Sequence, residues 1–239
     1  WFKWENRNTN FLYGQPDGGP THDAPQNGYL NRSRVSLDYI PRDNNHPYRP
    51  AIIFRMAEAY LSYAEALNES SERMSHKQEI LDNYIKIRHR AGIAEYGTGT
   101  DENGFTRIKI NFSDQKEVRR LIHKERRVEF VGEGVRYHDL RRWKTAHYGI
   151  GNLNEQGENP DWGVNGPDYG MNYYGTEYTD QGDNAFFKRT KYMDRVYPRK
   201  FYWYPIHQSE IDKDPTLVQG QFWLGELKSI KKINWTTTS

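Results

Sequence analysis

The chain has 239 residues, enough for one large domain or two small ones with a real core, and its 34 Lys and Arg against 32 Asp and Glu leave a net charge of +2. That balance excludes the strong basic excess expected of a general nucleic-acid or membrane-surface binder. The absence of cysteine excludes disulfides, thiolate metal sites, cysteine catalysis and a lipid-bearing cysteine within these residues.

Mean hydropathy is −1.04, a value that alone reads as disorder. Seven Trp, eighteen Tyr and ten Phe point the other way, because each ring buries a large area. The balance predicts a folded chain with long polar loops and many half-exposed rings. No signal peptide and no apolar run of membrane-spanning length is visible. The abrupt start "WFKWENRNTN" reads as a piece of a longer protein.

Residues 1–50 are rich in Gly, Pro, Asn and Asp and read as loops, with one short strand at residues 34–39. The first strong helix is "AIIFRMAEAYLSYAEALNES", preceded by Pro50. Ile53, Met56, Ala57, Tyr60, Leu61, Ala64 and Leu67 recur on one helical face. A second helix follows in "SHKQEILDNYIKIRHRAG". Ser75 and Gln78 make a capping box, Ile80, Leu81, Tyr84, Ile87 and Ala91 an apolar face, and Gly92 a stop. The short connection predicts an antiparallel pair. Residues 94–112 read as a loop and a short extended run. A third helix runs from about Ser113 to Val131, broken by Gly132 and Gly134, and a short helix resumes over residues 137–144. Residues 149–184 read as a long aromatic loop. "RKFYWYPI" reads as β-prone and "HQSEIDKDPTL" as a turn or short helix. "TGTDENG" and "DQGDN" miss the calcium-loop pattern and read as turns.

The stretch "LIHKERRVEFVGEGVRYHDLRRWK" (residues 121–144) concentrates charge on a helix whose buried stripe is Val118, Leu121, Ile122 and Val128. Glu125 falls on that stripe and Glu129 beside it, so both need partners. Arg126, Arg127, Arg136, Arg141 and Arg142 are the local supply. A glycoside hydrolase would need one of two carboxylates with a raised pKa, whereas nearby arginines would lower both. His138 stands at the wrong spacing for a di-metal carboxylate site. The interleaved acids argue against nucleic acid, and "GEGVR" lacks the ending of a phosphate loop. What remains is a salt-bridge network that pins a helix–glycine–helix corner.

The same stretch resembles the signature of the SusD/RagB family, in Glu125-Arg126-Arg127-Val128-Glu129 and then Glu133-Gly134-Val135-Arg136-Tyr137-His138-Asp139-Leu140-Arg141-Arg142-Trp143. "FRMAEAYLSYAEALNE" is similar to the family's Arg-Ala-Glu helix through Arg55, Ala57, Glu58, Leu61, Ala64, Glu65 and Ala66. "IKIRHRAGI" is similar to the motif that follows, through Arg88, Arg90, Ala91 and Gly92. "YWYPIHQSEIDKDPTL" matches through Pro205, Glu210, Ile211, Pro215 and Leu217, with His207 for a proline, Asp214 for Asn and "QGQFW" for the usual ending. The resemblance covers residues from about 27 to 224 and corresponds to the C-terminal portion of a family domain. It divides here into a loop-rich segment (1–50), a helical scaffold (51–145) and a long loop with the last motif (146–239).

The resemblance implies a mainly α fold of tetratricopeptide-like helix pairs in an α–α superhelix, decorated by long irregular loops and a few short strands. It implies no catalysis and no cofactor. It implies an outer-membrane, cell-surface lipoprotein whose lipidated N-terminus lies outside this chain. Such a protein captures a glycan, or in some members a peptide, for a SusC-like TonB-dependent transporter. It assigns the charged motif to the scaffold and the ligand to the loops.

Sugars present apolar faces on which aromatic rings stack. Candidate binding residues are therefore Trp1, Trp4 and Tyr13 beside Asn6, Arg7 and Asn10, and Trp162, Tyr169, Tyr173 and Tyr174 beside Asn165, Asp168 and Asn172. Trp143, Trp203 and Trp223 lie in or beside family motifs and are expected in the core. The rivals to a glycan-binding module are a glycoside hydrolase using Glu125 and Glu129, and a lid that touches no cargo.

Overall fold

A computed structural model describes residues 3–4, 7–21, 24–31, 48, 51–149, 163–220 and 223. The expected strand at 34–39, Pro50, Trp1 and Trp162 lie outside the described residues. The described part is mainly helical. Its elements are strands β1 (Lys3–Trp4) and β2 (Arg7–Asn8), helices α1 (Met56–Glu69), α2 (Lys77–Arg90), α3 (Gln115–Glu129) and α4 (Val135–Arg142), strands β3 (Gly166–Gly170) and β4 (Thr190–Arg195), and helix α5 (Gln208–Lys213). Among the described residues no helix is long and apolar enough to cross a membrane.

Helix α1 is built from strong helix formers, "MAEAYLSYAEALNE". It starts at Met56 rather than Ala51, because Arg55 adopts an extended backbone (φ −140°, ψ 155°) that sends its side chain across to the end of α3. The two β-branched residues before it add no helical preference. Ile53, expected on the buried face, is therefore 98 % exposed, and Met56 is exposed too.

Helix α2 is entered through His76, and the expected capping box is absent. The Ser75 hydroxyl donates instead to the Glu72 carbonyl within the preceding turn (2.7 Å), and the Gln78 amide donates to Asp82 (2.8 Å). At the other end Gly92 stands at φ +65°. The amides of Gly92 and Ile93 donate to the carbonyls of His89 and Arg88, the paired bonds of a Schellman stop. Ala91, expected on the apolar face, is exposed.

Cross-contacts fix the packing. Tyr60 lies under Lys86 and Tyr63 donates to Glu79, so α1 and α2 run antiparallel. Asn68 meets Gln115, Ser62 meets Arg126 and Arg55 meets Glu129, so α3 runs antiparallel along another face of α1. Between the three helices lie Leu61, Ala64, Ile80, Tyr84, Ile87, Val118 and Ile122, nearly all fully buried, closed by Tyr96, Phe112 and Phe130. Each large aliphatic side chain contributes roughly 1.5–3 kcal/mol by leaving water.

Helix α3 is capped by Asp114, whose carboxylate accepts from the amides of Lys116 (2.9 Å) and Glu117 (3.2 Å). Val128, expected on its buried stripe, is exposed. It lies ten residues after Val118, about 280° round the helix, whereas Glu125 at seven residues returns almost to the same face. After Phe130, Gly132 and Gly134 both have positive φ, and Gly134 (φ +81°) caps α4 from the left-handed region. An L side chain there would meet its own carbonyl.

Three expectations fail beyond α4. Part of the presumed loop 149–184 is strand β3, paired antiparallel with β4 with a shift of register between Asp168 and Tyr169. The β-prone run "RKFYWYPI" instead turns through a 3-10 helix at Arg199–Tyr202. Pro198 favours the turn, and the carbonyls of Phe201 and Tyr202 are taken by Arg141 rather than by a neighbouring strand. His207, the residue replacing a motif proline, caps α5 by accepting from the Ser209 amide. Trp203, expected in the core, is half exposed (50 %).

Candidate functional site

The charged motif resolves into discrete pairs. Arg126 is buried and grips Asp139 with two nearly parallel bonds (2.8 and 3.0 Å), while its third nitrogen donates to Ser62 (3.0 Å). Arg142 donates to Asp139 (2.9 Å) and to both oxygens of Glu65 (2.5 and 2.6 Å), and the Trp143 indole donates to Glu65 as well (2.7 Å). Helices α1, α3 and α4 are thereby tied at one corner. At the far end Arg55 donates to Glu133 (2.9 and 2.7 Å), to the Glu129 carboxylate and to the Glu129 carbonyl (2.7 Å), lying over the Phe130 ring. Its hydrogen bond to Glu133 leads the set of contacts that raise its pKa further.

The partners of the two central acids are not the expected ones. Glu125 pairs with Arg88 of α2 (2.8 Å), which also caps the Ala94 carbonyl, and Glu129 pairs with Arg55 and with Arg90 of α2. The reason is direction: Glu125 faces α2, from which Arg88 reaches it. Arg136 is half-buried on α4, and Arg141 turns away to the 199–203 segment. Burial pushes the Glu125 carboxyl up, with Arg88 opposing it, so the expectation that arginines would lower it is overturned. Desolvation outweighs a single charged neighbour here. The raised pKa does not make it a general acid, because Glu125 is only 6 % exposed and already bound.

The aromatic loops behave differently. Tyr13 from the N-terminal segment meets Tyr173 (6.2 Å between ring centroids) and Tyr174 (5.3 Å), which stand edge-to-face with each other at 5.2 Å. The two candidate loops, separated in sequence by about 160 residues, are thus one surface. Backbone bonds hold them: the Tyr13 amide donates to Gly175 O (2.9 Å) and Met171 N to Asn27 O (3.0 Å). The Tyr178 hydroxyl donates to Asn10 (3.0 Å) and accepts from the Phe11 amide (2.9 Å). Gly19 leaves room for the Tyr173 ring, which a Cβ there would approach within 2.4 Å. Tyr174 is 67 % exposed, while Tyr13 and Tyr173 are half-buried.

Tyr169 does not join the cluster; it lies on β3 with the Arg189 guanidinium 3.7 Å above its ring. Asp168 pairs with Arg195, and the Asn172 amide donates to the Asp183 carbonyl (3.0 Å), so neither is poised for a ligand. Asn165 is likewise engaged, on His147 and Tyr197. Trp4 lies on β1, but its side chain is outside the described ones, as are Trp1 and Trp162.

Three cavities adjoin these features. An apolar one of about 480 Å³ lies beside the tyrosines, lined by Phe11, Tyr29, Leu30, Met171, Tyr178, Phe186 and Phe187. One of about 460 Å³ lies over the motif corner, lined by Glu58, Glu69 and His138 among others. A third, of about 370 Å³, is lined by Arg141, Arg142, Lys144, Tyr202 and Trp203. Sequence reasoning missed Phe11, Tyr29 and Phe187, and the only trace of them was unexplained rings in Gly- and Asn-rich loops. Among the described residues no group of three His, Asp or Glu could hold a metal ion.

Three comparisons bear on this arrangement. The model of the SusD family matches residues 3–223, reaching further toward the N-terminus than the motifs do. The SusD-like protein P25 of Formosa agariphila is 34% identical over 109 residues, 46% of this chain and 18% of the relative. The crystal structure of a SusD-like protein from Bacteroides fragilis is similar with a TM-score of 0.55 and 26% identity, over 86% of this chain and 32% of that one. The chain thus spans less than a fifth of the one relative and about a third of the other.

Proposed function

The chain belongs to the SusD family, and we propose on that footing that it binds a glycan without catalysis and delivers it at the cell surface to a SusC-like TonB-dependent transporter. A lipid anchor outside these residues, and a place as the C-terminal portion of a larger domain, belong to the same proposal. The observation that carries it is the convergence of Tyr13, Tyr173 and Tyr174 from two distant loops, with Tyr174 largely exposed. Rings at differing tilts offer apolar faces to a sugar chain, and neighbouring amides and hydroxyls can meet its hydroxyl groups. The hydrolase alternative loses its acids, because Glu125 and Glu129 are both bound to arginines.

Affinity electrophoresis on a panel of neutral and acidic polysaccharides tests the reading. At least one polymer should retard the chain, and Tyr174→Ala should reduce that retardation with no change in melting temperature. Equal retardation of wild type, Tyr174→Ala and Tyr13→Ala would remove the tyrosines from the site. The apolar 480 Å³ cavity favours a second reading, a peptide ligand anchored by an apolar side chain. Calorimetric titration with short apolar peptides separates the two.

A further inference from the structure

The third cavity has a chemistry the tyrosine cluster lacks. Of its cations, Arg142 is met by Glu65 and Asp139. Arg141 is held by oxygens that carry no full charge: the carbonyls of Phe201 (2.6 Å) and Tyr202, and the hydroxyls of Tyr137 (3.1 Å) and Tyr197 (3.2 Å). Those bonds, and the Tyr137 and Tyr204 rings 5.3 and 5.1 Å from it, fix the guanidinium at the cavity wall with no carboxylate paired to it among the described residues. Lys144 is exposed at the edge and is the one described non-glycine residue with positive φ (56°), a conformation uncommon for a lysine. The same turn, Arg199–Tyr202, brings the Tyr202 hydroxyl to the His147 ring (2.9 Å). Trp203, half exposed, lines the same cavity.

We infer that this cavity is a subsite for an acidic sugar: a sulfate ester or uronate carboxylate against Arg141 and Lys144, with the sugar ring on Trp203. The inference rests on the glycan reading above and narrows it to an anionic polysaccharide. A neutral sugar would leave two cations facing the ligand uncompensated, whereas an oxyanion meets them with charge-assisted bonds.

Affinity electrophoresis of the 239-residue chain should compare gels containing polygalacturonate, a sulfated galactan, a neutral galactan and polyglutamate. Retardation is expected with one acidic polysaccharide, and which of the two it is distinguishes carboxylate from sulfate. Lys144→Gly removes the charge and suits the backbone, so the fold is retained. It should weaken that binding about tenfold, the loss of one charge-assisted bond. Trp203→Ala should weaken it as well. Binding to neutral polymers alone would overturn this inference and leave the glycan reading standing; binding to no polysaccharide would overturn both. Equal retardation by polyglutamate, or unchanged affinity in both variants, would also overturn the subsite.

Discussion

His123 is 4 % exposed on α3, with the Trp143 indole stacked on its ring at 3.4 Å. Burial, and after it the charges of Arg142, Arg119, Arg136 and Arg126, push its pKa down to about 2 from an ordinary 6.5. Glu65 at 3.9 Å would favour the charged ring, but its oxygens are already taken by Arg142 and Trp143. The unfolded chain therefore takes up a proton near pH 6.5, and the folded one does not until far lower. The unfolded state binds more protons throughout that window, so stability present above pH 6.5 is lost as the pH falls through it. From pH 7.5 to 5.0 about one and a half units lie below the unfolded pKa, and at about 1.36 kcal/mol per unit the loss is about 2 kcal/mol. The figure requires only that the folded pKa stay well below 5. Urea unfolding of wild type and His123→Phe at the two pH values measures it, since Phe keeps a ring against Trp143 and cannot titrate. His147, also pushed down by burial and then Arg199, adds with the same sign, and Glu125, pushed up by burial, with the opposite sign. Both are common to the two proteins and cancel in the double difference. A double difference below about 0.5 kcal/mol would refute the assignment of acid sensitivity to His123.

Arg126→Ala should lower stability by about 3–5 kcal/mol, toward the lower end because Arg142 still reaches the buried Asp139 carboxylate that the change leaves behind. Thermal denaturation followed by circular dichroism checks it, and a shift of only a degree or two would mean that the pair is not a structural tie. Asp114→Ala should cost about 1 kcal/mol by removing the α3 cap, while Asp114→Asn should cost little. Equal losses for the two in urea unfolding would assign the effect to charge rather than to capping.

What could be read in advance follows physical range. The apolar stripes of α1, α2 and α3 repeat at short spacing, so Leu61, Tyr84 and Ile122 were legible as core. The need of Glu125 for an arginine was legible from its place on the stripe. The identity of that arginine was not, because Arg88 is 37 residues away and only the packing of α2 on α3 brings it in. The same limit applies to α1, whose start is set by the pull of Glu129 and Glu133 on Arg55, 74 and 78 residues on. The tyrosine cluster lies beyond local reasoning altogether. Nothing near Tyr13 points to Tyr173; the contact exists because backbone bonds and a side-chain-free Gly19 let two loops close on each other. Trp203 failed in the opposite sense. Membership of a motif was read as burial, while Arg141 of the charged motif holds the turn beside it and the ring stays half exposed.

The motif and the proposed binding surfaces are not independent devices. Arg141 belongs to the charged motif, yet its bonds run outward to the 199–203 turn and so set the wall of the cationic cavity. Asn165, at the foot of β3, donates to the carbonyls of His147 (2.6 Å) and Tyr197 (3.2 Å), which anchors the β3–β4 hairpin on the same corner. From there β3 rises for five residues, on the order of 17 Å, and the chain reaches Tyr173 three residues later. The β3–β4 pair therefore runs from the cationic cavity at its foot toward the tyrosines beyond its tip, with Arg189 on Tyr169 between them. A scaffold of buried arginine–acid pairs suits this arrangement because their partners are mutually saturated. Residues in the loops can then change without leaving a buried charge unpaired.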